Sequence, residues 1–591
     1  MHIDEKFKDN SPVKTVQNIQ QLLAKYGFEV TEKWYDTGIE HCHSVSIFIN
    51  GTKLSTHGKG VTKELARASG YAEMMERLQS GYRGVGGLRF PDFREMTKDE
   101  IWQENAAYYA QIAEKMGENE AQKFTAEEIL DFSVTNREND TCRAIAYLDV
   151  FTGKKVYLPY MLLRNIYGTN GLAAGNSTEE AIVQGMSEIV ERYCQRFFLE
   201  GKLTPPDVPE EYLAQFETAY AVIRQIREEG FDLIVKDCSL GEGYPVVASI
   251  VMDRKTKACR VMFGASPVFE IALERSLTEV FQGCAIKALP MVRGFFIGKK
   301  RSRYDMEAAF VVGNSNYPLE FFAYEASYLF QPFEDRSSLN NKALLSYILT
   351  YLKQKNRTML VRDLSHMGFH TYRIIVPGMS EIDTYVFTGK PSYYELSLKL
   401  AKRRSDLSVA TQEELLAYQQ LFDTVPATSE QVPELNALAR IPLDVDARQS
   451  RFLSLMSVAY ACWQTGRKEK AGEYVQKAQQ LAPAQLQAYM ESLSHMLLLH
   501  LNGYSFDDCA RLMYRFFDPM LVESARQSCL RGNPFADFLI KCDRNCSACG
   551  YARICMYQAN KSVTDRVNAA VAEFDNDAAF ENLKACIAAL T

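Results

Sequence analysis

No uninterrupted apolar run in this 591-residue chain is long enough to span a bilayer, although 47% of its residues are hydrophobic. That excludes a helical membrane protein. The opening residues MHIDEKFKDN are charged and polar and do not read as a signal peptide. Positive charge is not in excess: the net charge of -7 argues against broad nucleic-acid binding. One local patch, Lys299, Lys300, Arg301 and Arg303, reads as a solvated loop able to touch phosphate or an acidic partner. Without an export signal the 14 cysteines read as reduced thiols, and the expected location is cytoplasmic. The length allows three or four units and more than one core.

What is present is a polar stripe, used three times. A glycine-led turn opens a helix in GKGVTKELARASGYAEMMER, in GNSTEEAIVQGMSEIVER and in GASPVFEIALERSLTEVFQ. The helices carry Ser69, Glu73 and Glu76; Gln184, Glu188 and Glu191; and Arg275, Glu279 and Gln282. Spacing of i, i+4, i+7 puts each triplet on one face. The neighbours, including Met74, Met75, Ile189, Val190, Val280 and Phe281, are apolar enough for a core. Two carboxylates about 4 Å apart repel by about 4 kcal/mol at an effective dielectric near 20, so converging acids must titrate or bind a cation. Magnesium suits oxygen donors and shares its shell with phosphates. Arg192 and Arg275 could take phosphate oxygens by forked hydrogen bonds. The stripes therefore describe a nucleotide site.

Each stripe alone also reads as a solvated helix face with local ion pairs. Ser177 with Glu180 fits a capping box, and Arg77 and Arg192 could simply balance neighbouring glutamates. Repetition weighs against those readings. Residues 13 to 26 read as a helix ending at Gly27, GFEVTEKW as a strand, and SVSIFIN and KLSTHG as a hairpin around Asn50-Gly51, followed by the first acidic helix. Residues 219 to 286 repeat that order, with the third acidic helix expected behind a Ser266 cap and Pro267. Phe28 maps on Phe231 and Glu73 on Glu279. A middle unit, AIAYLDVFTGKKVYLPY, supplies another hairpin before the second acidic helix, with TNGLAAGN inserted.

These strings, GKG...SGYAEMMER, TNGLAAGNSTEEAIVQGMSEIVERY and FGASPVFEIALERSLTEVFQG, resemble the ATP-binding signatures of the YcaO proteins, and the resemblance covers about the first 405 residues. It resembles the two-domain bacterial branch, which adds a C-terminal helical region. The resemblance implies an α/β domain of repeated helix, strand, hairpin and helix units around an ATP cleft. It also implies magnesium ligands at Glu73, Glu76, Glu188 and Glu191, and ATP contacts at Lys8, Thr15, Asn176, Glu180, Arg192, Arg275 and Glu279. The implied reaction is ATP-dependent phosphorylation of a peptide-amide oxygen. A Cys, Ser or Thr side chain then gives an azoline, or sulfide gives a thioamide. No protein nucleophile is needed and no general base is assigned. Azoline-forming members commonly end in a proline-rich tail, whereas this chain ends in NLKACIAALT. The two-domain branch is described instead as an accessory factor for methylthiolation of an aspartate in a small-subunit ribosomal protein. A homodimer and a sulfur-transfer partner are implied with it.

The C-terminal part divides at about residues 406 and 531. From 406 to 530 long amphipathic helices are expected, and SVAYACWQTGRKEKAGEYVQKAQQLAP has the helix, turn, helix and closing Pro483 of one tetratricopeptide-like unit. The alternative is a helical cap on the first domain. YMESLSHMLLLHL reads as core. From 531 to 591 a terminal helix and the cluster CDRNCSACGYARIC are expected, in which Cys542, Cys546, Cys549 and Cys555 would bind zinc or an iron-sulfur cluster around Gly550. Cys142, Cys194, Cys259 and Cys284 read as small core residues. His366 and His370 read as structural, or as lining a pocket. Two rivals to the enzyme stand: a non-catalytic nucleotide-binding adaptor that recruits a modifying enzyme, and a redox or iron-sulfur protein.

Overall fold

The computed structural model describes residues 7–82, 87–116, 141–201, 203–292, 309–310, 316–382, 407–423, 447–539, 545–549, 553 and 555–590. The chain forms two compact units, one of residues 1–385 with 560–591 and one of residues 386–559. This division differs from the borders expected at 405 and 530. The basic patch at 299–303 lies outside the described residues, as do Cys542 and Gly550.

The first unit begins with the anticipated order. Helix α1 (Pro12–Lys25) starts behind a Ser11 cap with Pro12 in its first turn, where a missing N–H costs nothing. Strands β1 (Val30–Tyr35), β2 (His43–Ile49) and β3 (Ser55–Gly60) form an antiparallel sheet in sequence order. Helix α2 (Lys63–Ser80) then starts at Thr62, whose side chain accepts from Leu65 N. A second sheet and two further helices come before the repeat closes. Strand β4 (Arg94–Thr97), helix α3 (Lys98–Met116) and the hairpin of β5 (Thr141–Asp149) with β6 (Lys155–Pro159) lead through a π-helical turn, Leu163–Tyr167, to β7 (Leu172–Ala174) and α4 (Thr178–Leu199).

The last repeat is α5 (Glu217–Glu228), β8 (Phe231–Asp237), β9 (Val246–Asp253), β10 (Cys259–Ala265) and α6 (Phe269–Val280), again with an antiparallel three-stranded sheet. Its helix starts later than expected. Val268 occupies the cap position without a side-chain bond, and Ser266 Oγ instead accepts from Val268 N at 3.2 Å, a turn ahead of the helix proper. Helix α7 (Asn341–Gln354) follows, and strands β11 (Leu360–Asp363) and β12 (Thr371–Ile375) complete the second sheet, ordered β4-β5-β11-β12-β7 with β6 on β5. Strand pairing is antiparallel throughout the described residues.

Packing explains why glycine leads each acidic helix. A Cβ on Gly58 would lie 1.9 Å from Ala66 O, and one on Gly264 would lie 2.3 Å from Ala272 O. Both are equivalent points at which the helix backbone rests directly on its strand. That seat fixes how each helix rotates: its apolar side enters the core, and the polar stripe turns the other way. On α4 the residues Ile182, Met186, Ile189 and Val190 are buried with Leu344, Leu345 and Ile348 of α7.

Two more helices, α14 (Tyr557–Glu573) and α15 (Asn576–Ala588), end the chain, and from Asn560 onward they pack with this first unit. Arg566 Nη1 donates to Gly27 O at 2.5 Å, Arg89 N donates to Asn568 Oδ1 at 2.8 Å, and Lys155 pairs with Asp577 at 2.8 Å. Amphipathicity alone could not foretell this return, because the partners are 422 to 539 residues away in the chain. His366 belongs to the same core: it is buried, and its ring lies against Phe90 and Phe574. Cys142, Cys194 and Cys259 are buried and Cys284 half-buried.

The second unit is helical among its described residues: α8 (Gln412–Asp423), α9 (Ala447–Gln464), α10 (Lys468–Leu481), α11 (Gln487–Leu501), α12 (Phe506–Met513) and α13 (Pro519–Leu530). Gly466, at φ 81°, makes the turn between α9 and α10, and Pro483 follows the pair. Met490, Leu493, Met496 and Leu497 are core. Among the described residues no helix is long and apolar enough to cross a membrane.

Candidate functional site

The structure brings the three acidic helices together. All nine stripe residues, from Ser69 to Gln282, are half-buried, whereas the residues flanking them enter the core. This pattern is that of a lined cleft and differs from a solvated face. The contacts run from helix to helix. Arg275 Nη2 donates to Gln184 Oε1, joining the equivalent first positions of two stripes, while its Nη1 donates to Ala265 O at 2.8 Å. Lys59, at the end of β3, pairs with Glu279 of α6. His57 on the same strand gives its N–H to Glu73 at 3.2 Å and takes Gln282 Nε2 on its carbonyl at 3.2 Å.

Charge couples the same groups. Burial drives the Glu76 carboxyl up to about 8, with Glu188 and Glu73 adding to that effect against Arg77 and Arg373. Burial raises Glu191 as well, against Arg192 and Lys59. For Glu73 burial also works upward, but Arg77, the His57 N–H and Lys59 outweigh it and hold the carboxyl below its ordinary value. Lys59 is pulled down to about 8 by burial despite Glu191 and Glu73. Glu73, Glu76, Glu188 and Glu191 thus share one electrostatic neighbourhood.

Cations of the chain itself answer much of that charge. Arg77 spans Glu73 at 2.9 Å and Glu76 at 2.6 Å, and Arg192 pairs with Glu188 at 2.9 Å while reaching Phe310 O at 2.7 Å. Among the described residues no three His, Cys, Asp or Glu stand close enough to hold an ion by themselves. The donor set nevertheless fits magnesium. It consists of hard carboxylate oxygens, and magnesium ordinarily completes its shell with water and phosphate.

A second group forms at the start of α4. The Glu180 carboxylate is buried and accepts from Lys8 Nζ at 3.2 Å, from Asp9 N at 2.9 Å and from Asn176 Nδ2 at 3.0 Å. Thr15 Oγ1 donates to Asn176 Oδ1 at 2.7 Å. Burial raises the Glu180 carboxyl, but Lys8, the Asp9 N–H and Asn176 overcome it and hold the carboxyl low. Ser177 caps the helix, giving its oxygen to Glu180 N at 3.1 Å, yet the Glu180 side chain turns outward to the N-terminal segment. That settles the capping-box question against a purely local role. Glu180 and Glu188 are two turns apart, roughly 12 Å along one helix.

Sequence reasoning missed Lys59 as a member of the site. The only signal was its position between two glycines, in the strand that each acidic helix packs upon. In the second unit, Cys546, Cys549 and Cys555 are half-buried, and Cys549 N donates to Cys546 O at 3.4 Å. Among the described residues they form no metal-holding group, and Cys542 lies outside those residues.

Residues 57–380 match the family model described as YcaO cyclodehydratase, ATP- and Mg2+-binding. The chain is 28% identical over 392 residues to the ribosomal protein S12 methylthiotransferase accessory factor YcaO of Escherichia coli, a match covering 64% of this chain and 66% of that protein. It thus spans just under two thirds of that relative's length. Among solved structures, a heterocyclase in complex with substrate and cofactor is similar at 20% identity and TM-score 0.45, covering 63% of this chain and 52% of the other. YcaO from Methanopyrus kandleri, bound with AMPPCP and Mg2+, is similar at 20% identity and TM-score 0.40, covering 64% of this chain and 94% of that one.

Proposed function

This chain belongs to the YcaO family, whose model covers more than half of it, and from that premise we propose that it activates a peptide-backbone amide with ATP and magnesium. The meeting of Glu73, Glu76, Glu188 and Glu191 with Lys59, Arg192 and Arg275 in one half-buried cleft supports this reading most strongly. We assign magnesium to the four glutamates, where it would neutralise phosphate charge. Nucleotide contacts are assigned to Lys8, Thr15, Asn176, Glu180, Arg192, Arg275 and Glu279. In that arrangement Arg192 and Arg275 exchange their present acceptors for phosphate oxygens, which they can grip by two parallel bonds.

The reaction asks for positioning and charge neutralisation rather than a protein nucleophile. The amide oxygen attacks the γ-phosphorus and ADP leaves. A nucleophile, either a neighbouring Cys, Ser or Thr side chain or sulfide, then adds to the amide carbon, and phosphate departs. The likeness to the E. coli accessory factor favours a place in ribosomal protein methylthiolation, beside a sulfur-transfer enzyme in the cytoplasm. Azoline or thioamide formation on another peptide is the alternative outcome of the same chemistry. A homodimer and a tetratricopeptide-like partner surface in the helical unit belong to this proposal, as does zinc or an iron-sulfur cluster on Cys542, Cys546, Cys549 and Cys555.

The helix, glycine turn and helix at α9 and α10 favour one second reading, an adaptor that binds nucleotide and recruits a modifying enzyme. Purified protein given ATP, magnesium and ribosomal protein S12 or a panel of Cys-, Ser- and Thr-containing peptides, with and without sulfide, separates the two. ADP release that rises with peptide supports amide activation. Tight ATP binding with no peptide-dependent ADP release supports the adaptor.

A further inference from the structure

Beside the acidic cleft runs a ladder of guanidinium groups and rings that the nucleotide assignment does not use. Its near end is Arg373 on β12, which acts on Glu76 through charge and lies 5.7 Å from the Tyr82 ring centre. Arg164 lies over the same ring at 5.5 Å. Further out, Tyr160 meets Phe93 edge to face at 5.0 Å, and Arg143 covers Phe93 at 4.0 Å. The Tyr160 hydroxyl, raised by burial, senses Arg164, Tyr82, Arg373 and Arg143, which ties the two halves of the ladder together.

Three observations single this strip out. Arg164 projects from the π-helical turn Leu163–Tyr167, an irregularity common at functional sites. Arg373 clamps that turn, donating to Gly168 O at 2.8 Å and Leu163 O at 3.4 Å. Arg164 is exposed, and among the described residues it lies against the Tyr82 ring rather than an acid. Finally, Tyr82 Oη, Arg373 Nε and Arg77 Nε are buried and have no hydrogen-bond partner among the described residues, and Arg373 itself is only 4% exposed. An orphaned donor in a cationic setting is costly unless a ligand accepts from it. At the outer end of the strip Arg143 has an acid, Glu95, at 3.8 Å.

We propose that this strip, Arg143, Phe93, Tyr160, Arg164, Tyr82 and Arg373, receives an acidic segment of the peptide substrate and leads the adjoining amide to the phosphoryl site. The assignment rests on the amide-activation reading for what happens at the end of the strip, and on the cation and ring geometry for the strip itself. Carboxylates of the peptide take the exposed Arg164 and Arg143 by charge-assisted bonds, while its backbone lies along the rings.

The test uses the full chain and a fluorescein-labelled peptide of alternating glycine and aspartate, with a glycine-asparagine peptide of the same length as its uncharged match. Anisotropy is read for the wild type, Arg164→Glu and Arg164→Lys, and Mg-ATP affinity is measured on each in parallel. The expected result is a clear preference of the wild type for the acidic peptide, lost on the order of tenfold in Arg164→Glu and largely kept in Arg164→Lys. Mg-ATP affinity stays unchanged in both variants. Equal binding of the two peptides, or full acidic-peptide binding by Arg164→Glu, overturns the proposal. A fall in Mg-ATP affinity on Arg164→Glu also overturns it, because the strip would then belong to the nucleotide pocket. A wild type that binds no Mg-ATP but keeps the Arg164-dependent peptide preference defeats the amide-activation reading and leaves the peptide strip supported.

Discussion

Lys59, closing the last strand of the first repeat, pairs with Glu279, near the end of the last repeat's helix, and so joins the two halves of the duplication at the acidic cleft. The pair is about one quarter exposed on each side. Burial already disfavours the ammonium, which is held down to about 8, so it is kept charged largely by the acids around it. Lys59→Met is therefore expected to destabilise the protein by about 1–2 kcal/mol in the absence of nucleotide, less than a fully buried pair would lose. Added Mg-ATP should recover part of that loss by answering the freed carboxylate. Urea denaturation with and without Mg-ATP checks both parts.

Seating of the helices on glycine gives a second expectation. A methyl group at Gly264 meets Ala272 O at 2.3 Å and Ser276 N at 2.5 Å, and neither backbone atom can yield without moving the helix. Gly264→Ala should cost about 1–3 kcal/mol, the range for overpacking, and should weaken Mg-ATP binding because α6 carries Arg275 and Glu279. Denaturation and nucleotide titration on the same sample read the two effects.

Glu180 fastens the N-terminal segment to α4 through Lys8, Asp9 N and Asn176. Glu180→Ala removes the acceptor for all three donors at once. Limited proteolysis with trypsin should then cut sooner at Lys8, and ATP affinity should fall by roughly tenfold, the value of a charge-assisted bond. A variant with wild-type digestion and wild-type affinity contradicts the placement of this group.

His366 sets an acid limit. Burial, with Arg362 adding to it, pulls its pKa from 6.5 down to about 3. The folded state therefore stays unprotonated while the unfolded chain takes a proton. Its contribution is complete above pH 6.5 and is lost progressively as pH falls toward 3, at about 1.4 kcal/mol per pH unit. His366→Phe, whose ring suits Phe90 and Phe574, should lower stability less than wild type between pH 7 and pH 5. Unfolding midpoints at the two pH values decide this.

Much of the first unit could be read from residues. The order of helix, three strands and helix was legible in both outer repeats, because hairpin turns, caps and 3.6-residue periodicity are local signals. The contact of Arg275 with Gln184 of the middle unit's helix was not legible in either repeat. What stayed hidden was long-range. Nothing near Lys59 says that its partner is Glu279, and nothing in Arg566 or Asp577 announces that the terminal helices return to Gly27 and Lys155. The late start of α6 at Phe269 was misread for another reason, since Ser266 and Pro267 carry the right residue types but form a preceding turn. The π-helical turn at Leu163–Tyr167 has no periodic signature at all.

The most direct measurement of the central claim is a calorimetric titration of Mg-ATP into the wild type and into Glu188→Gln and Glu191→Gln. These changes remove charge while keeping side-chain size. The account predicts binding by the wild type that depends on magnesium, and a loss on the order of a hundredfold in either variant as the cation loses an oxygen ligand. Unchanged affinity in both variants, with the fold intact by circular dichroism, would contradict it.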